Sequence, residues 1–144
     1  RYDRKRACKE ALRIAKPGAP VFIAFCLQDA PLIHEIFMSE DPASEITGIG
    51  YDRETALVTD NTGSSRLLDT IGAVDELIDA VCKENDAQKV CRFAQDGLSQ
   101  IISKNVNSMS EKSYAEWIQY LIETAERADL MGFSDHIVQV LRKI

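Results

Sequence analysis

A chain of 144 residues, 45% hydrophobic and 28% charged, has the make-up of one globular domain with one sizeable core. No apolar run reaches the roughly 18 residues that a bilayer span needs, which excludes a membrane-spanning helix. A formal net charge of -6 argues against a domain built to grip phosphate backbones, and plentiful apolar residues exclude disorder.

The charge is uneven. Residues 1–16 carry seven basic and two acidic side chains, a local charge of +5, which leaves -11 for the remainder. The plain reading is a solvated helix face; a nucleic-acid arm is the rival. Residues 3–15 place Ala7, Cys8, Ala11, Leu12 and Ile14 at helical spacing, with Lys and Arg between them. The chain opens on Arg1 already in a helical pattern, and it reads as a piece of a longer protein with no secretory leader.

Lys16, Pro17 and Gly18 end this helix, because proline cannot continue it and glycine accepts positive φ. Residues 20–27 then run apolar without alternation, which predicts a central strand covered on both faces. A helix follows over 28–38, with Asp29 as its N-cap, Pro31 in its first turn and an apolar stripe of Leu32, Ile33, Ile36 and Phe37. Residues 39–66 are polar, with strand character only at 56–59, and the segment at about 39–70 reads as an insertion or lid.

Helical periodicity returns over 73–84 through Val74, Leu77, Ile78 and Val81. A strand is predicted over 89–94, turned by Asp96 and Gly97, and then helix over 98–107. Ser110 caps a helix over 111–127 whose core face holds Tyr114, Trp117, Ile118, Leu121 and Ile122. Met131 and Gly132 close that segment, and the last strand covers 136–141. Helix, turn and buried strand in this order predict an α/β fold.

Cys8, Cys26, Cys82 and Cys91 form no CxxC pair and sit in apolar or helical surroundings. They read as reduced, mostly buried small hydrophobes in a cytoplasmic protein, and no metal site is expected. Gly48-Ile49-Gly50 is a GxG, but Arg53 takes the third glycine position and no buried strand precedes it, so it reads as a surface turn. No GxSxG elbow is present. His34 follows the apolar strand, where α/β folds bind ligands. The position of His136 relative to that rim depends on the direction of its strand.

Two segments resemble a known family. Residues 6–27 look like the helix, Lys-Pro-Gly-Gly turn and fifth strand of class I S-adenosylmethionine-dependent methyltransferases. Glu10, Arg13, Ile14, Lys16, Pro17 and Gly18 match, while Ala19 replaces the second glycine. Residues 122–143 are similar to the C-terminal end of a bacterial subgroup, with Thr124, Glu126, Arg127, Gly132, Ser134 and His136 in the matching places. The family's glycine-rich cofactor loop and ribose-binding acid have no counterpart here.

The resemblance therefore implies the C-terminal half of a Rossmann-like methyltransferase domain. It would hold the fifth, seventh and sixth strands in that spatial order, the seventh antiparallel. It implies an intact protein that transfers a methyl group from S-adenosylmethionine to a small-molecule acceptor, with no cofactor-binding residue in this chain. The acceptor side would be lined by Cys26, Gln28, Asp29, His34, Phe37 and Met38. Asp29 and His34 are the candidate bases, although helix capping is the simpler role for Asp29. Glu126 and Arg127 would fix a turn. No residue is singled out as catalytic. Without its other half the chain is expected to be inactive and to form a homodimer through the bare strand at 20–27. The alternatives are a non-catalytic α/β interaction module, an inactive fragment, and, more weakly, a nucleic-acid-binding piece.

Overall fold

The computed structural model describes residues 3–41, 50–52, 57–59, 62–63 and 65–144. In chain order, helix α1 spans Arg4–Ile14, strand β1 Pro20–Cys26 and helix α2 Asp29–Met38. Three short strands follow, β2 (Gly50–Asp52), β3 (Leu57–Thr59) and β4 (Ser65–Leu67). Helix α3 (Ile71–Glu84) leads into β5 (Ala87–Ala94). The chain then forms α4 (Ser103–Asn107), α5 (Glu111–Thr124), a 3-10 turn at Met131–Phe133 and the last strand, β6 (His136–Lys143).

The fold is mixed α/β. Its main sheet has three strands in the order β1-β6-β5, and β6 runs antiparallel to both neighbours. These strands alone do not amount to a doubly wound Rossmann-like sheet. A second small sheet holds β2, β3 and β4. Of the strand character read at 56–59, residues 57–59 form β3, and two further short strands pair with it. Gly48, Ile49, Arg53 and Ala56 lie outside the described residues, as does much of the proposed insertion.

Register explains the core. Phe25 pairs with Ile137 and Val21 with Leu141, so these side chains share one sheet face. Cys8 and Leu12 of α1 and Val74, Ile78 and Val81 of α3 cover that face, joined by Leu27 and Met131. Asp3 caps α1 through Arg6 N, and Thr70 caps α3 through Ala73 N. Gly18 takes the positive φ that the turn into β1 requires.

Four expectations need correction. First, β1 is not covered on both faces. Its burial alternates, with Val21, Ile23 and Phe25 turned to the core and Phe22 63% exposed. α1 and α3 cover one face only, so the unbroken apolar run is misleading. Second, Asp29 is the first residue of α2 and not a cap preceding it. Third, α5 has no buried residue: Tyr114 and Ile122 are exposed, and Trp117 is half-buried, stacked on Tyr120 and hydrogen-bonded to Ser99 Oγ at 3.2 Å. Regular helix begins only at Ser103 in the 98–107 segment and stops at Thr124 in the next. Fourth, only Cys8 is buried among the four cysteines, all of which are free thiols.

Ion pairs fasten α1 to the rest of the chain. Arg4 pairs with the buried Asp69, and Lys5 and Lys9 both pair with Glu84 at the end of α3. The hydrogen bonds from Lys5 and then Lys9 lower the Glu84 carboxyl from its ordinary 4.5 to about 2. A depressed carboxylate stabilises the fold above its unfolded pKa, and that contribution is lost as pH falls through the folded value. The chain is therefore expected to be more stable than Glu84→Gln near neutral pH. Chemical denaturation should find this difference narrowing as pH drops from about 5 to 3.

Candidate functional site at the carboxyl rim of the main sheet

Because β6 runs antiparallel, its first residue lies at the carboxyl ends of β1 and β5. His136 pairs with Cys26 in register, and the two project from the same face. Leu27 N donates to Asp135 O at 2.7 Å, and Gln95 N donates to His136 O at 2.9 Å. The end of β1, the turn after β5 and the start of β6 are thus bound together by backbone.

Ser134 organises this junction. It is fully buried, and its hydroxyl oxygen accepts from Asp96 N at 3.0 Å and Gly97 N at 3.1 Å. The same hydroxyl donates to His136 O at 2.7 Å. The turn that it holds requires glycine: Gly97 has φ +54, and a Cβ there would meet Leu121 Cδ2 at 2.6 Å. So held, Asp96 presents Oδ2 to His136 Nδ1 at 2.6 Å. The Asp96 side chain is 19% exposed and that of His136 42% exposed.

A second carboxylate stands beside this pair. Asp135 Oδ1 is buried with no hydrogen-bond partner among the described residues. Burial first, and then repulsion from Asp96, raise its pKa, while His136 and His34 oppose the shift. Cys26 is exposed as a residue, but partial desolvation of its thiol, followed by the nearby Asp135 and Asp96, raises its pKa as well. Cys26 is therefore held as a neutral thiol and is a poor nucleophile.

The six predicted lining residues do not all converge. Cys26 is at the rim. Gln28 follows it, with its N–H donated to Asp69 O at 3.1 Å. Asp29 opens α2 and is exposed, while His34 is half-buried and close enough to Asp135 to act on its charge. Phe37 and Met38 lie at the far end of α2, about 12 Å along the axis from Asp29, and are 73% and 47% exposed. Among the described residues, a small hollow between Gly97, Leu98, Leu121 and Leu130 and a shallow groove around Arg92 and Glu126 include none of the six. Arg127 pairs with Asp129 at 2.5 Å rather than with Glu126.

In the sequence, resemblance marks His136 and Ser134, Asp96 reads as a turn residue, and nothing singles out Asp69 or Asp135. The available signal was an Asp-Gly turn directly after a strand, and it needed the direction of β6 to become legible. Asp69 N donates to Cys26 O at 2.7 Å, a contact that no local pattern encodes.

Among the described residues, no group of three or more His, Cys, Asp and Glu could hold a metal ion, and no helix is long and apolar enough to cross a membrane. No protein-family model matches the chain, and no curated protein matches it.

Replacing Ser134 with Ala leaves two backbone donors and one carbonyl without their shared partner. The expected loss is roughly 2–4 kcal/mol of stability, more than one ordinary hydrogen bond is worth. Urea unfolding of Ser134→Ala checks it.

Proposed function

We propose that this chain is the C-terminal half of a class I S-adenosylmethionine-dependent methyltransferase and supplies the side of the site that receives a small-molecule acceptor. The observation that carries the reading is the strand order β1-β6-β5, with the C-terminal strand antiparallel between its neighbours. That order coincides with the 5-7-6 end implied by the resemblance. The two segments that carry the resemblance supply β1 and β6, the strands that pair along their full length.

The reading assigns no part of the methyl-donor site to this chain. No glycine-rich loop joins a strand to a helix among the described residues, so the donor would be held by sequence outside this chain. The acceptor would approach the carboxyl rim near Cys26, Gln28, Asp29 and His34. A cytoplasmic setting goes with this reading and is supported by the four free thiols. The nucleic-acid alternative is weakened because Arg4, Lys5, Lys9 and Arg13 are each paired with a carboxylate.

Calorimetric titration with S-adenosylmethionine tests the reading. This 144-residue chain is expected to bind weakly or not at all, and the protein extended upstream through a Gly-x-Gly loop is expected to bind. Micromolar binding by the chain alone would overturn the half-enzyme assignment. Failure of the extended protein to bind would favour the non-catalytic module or inactive fragment.

In this reading the missing half covers the outer edge of β1. Among the described residues β1 pairs on one side only, with Phe22 open to solvent. Alone, the chain is expected to sediment as a dimer or larger at micromolar concentration, joined near Pro20–Cys26. A clean monomer would mean that the edge is covered from within.

A further inference from the structure

The geometry points to His136 as a proton acceptor for a neutral, hydroxyl-bearing acceptor molecule, with Asp96 as its positioning residue. This rests on the methyl-transfer reading only for what the deprotonated oxygen then attacks.

An imidazole can take a proton only through a nitrogen whose lone pair is free and faces the ligand. In His136 the Nδ1 nitrogen is engaged by Asp96 Oδ2 at 2.6 Å. Since a carboxylate only accepts, it selects the tautomer with the proton on Nδ1. That leaves the lone pair on Nε2. No hydrogen bond engages Nε2 among the described residues, and the side chain is 42% exposed at the rim. Asp96 is in turn fixed from behind, since Ser134 Oγ accepts from its backbone N–H and from that of Gly97.

The rim also selects the class of ligand. The charged and titratable groups that act on this corner are Asp96, Asp135, His34 and the Cys26 thiol. An acceptor arriving as an anion would meet the Asp96 and Asp135 carboxylates. A neutral O–H donor avoids that repulsion and matches the free Nε2. In the step itself, the O–H bond breaks and its proton forms a bond to Nε2. The oxygen keeps the electron pair. The imidazolium charge is balanced by the Asp96 carboxylate, and the proton later passes to water.

Nitrogen-15 NMR of the labelled chain at pH 8, with phenol as the probe, tests this directly. His136 is expected to show a protonated Nδ1 and an unprotonated Nε2. Phenol is expected to shift the Nε2 resonance saturably. Asp96→Asn is expected to lose the single tautomer and to weaken the phenol response roughly tenfold. A predominant Nε2–H tautomer in the unsubstituted chain overturns the proposal. So does the absence of any phenol-induced shift at Nε2, or a tautomer unchanged in a folded Asp96→Asn. If that variant does not fold, the first two measurements decide. None of these readouts involves S-adenosylmethionine, so failure of the methyl-transfer reading would be visible separately, in the titration of the extended protein.

Discussion

The insertion of β6 between β1 and β5 is the constraint on which the rest of the structure depends. α1 and β1 come from the start of the chain, α3 and β5 from its middle, and in the sheet the two parts meet only through the last strand. Ile137 and Leu141 are fully buried on the face that α1 and α3 cover. Sliding β6 by one residue would turn both of them to the opposite face and bring Val138 and Val140 into the core. The same slip would carry His136 away from the side that it shares with Cys26. Core register and rim chemistry are therefore set by one pairing.

That coupling extends through Ser134. One buried hydroxyl ties the turn after β5 to the first residue of β6, and the imidazole–carboxylate pair sits on the structure so closed. Polar groups buried this close together are tolerable only when their hydrogen bonds are met. Ser134 meets them for three backbone groups. Asp135 Oδ1 is the exception, and its raised pKa is the physical expression of that unmet demand.

Much of the local structure was legible in the sequence because local rules govern it. The period of α1 and α3, the Ser110 cap and the turns at Gly18 and Gly97 are all set by residues a few positions apart. The site was legible only in pieces. Asp96 and His136 stand forty residues apart and meet only if β6 runs antiparallel. The pairing of Arg4 with Asp69 spans a wider gap, 65 residues, and leaves no periodic trace. Apolar periodicity misled at α5, where Tyr114 and Ile122 follow helical spacing yet face solvent. The spacing identifies a stripe, not what lies against it. The same holds for β1, whose apolar residues fit a doubly covered strand while Phe22 and Cys26 stand exposed.

The distribution of charge completes the argument. The basic helix α1 is the chain's strongest electrostatic signal in sequence, yet most of its cations are spent on its own carboxylates. Arg4 reaches Asp69, Lys5 and Lys9 converge on Glu84, and Arg13 meets Glu10 within the helix. Asp69 also fixes the chain as it leaves β1, through the carbonyl of Cys26. A cation of α1 thus reaches the rim only through a structural carboxylate. The groups that act on that corner are the His34 and His136 imidazoles, the Asp96 and Asp135 side chains and the Cys26 thiol, whose pKa is raised by partial desolvation and by the two acids beside it. On the proposed reading, such a surface is poorly suited to holding an anion by charge and suits a neutral proton donor.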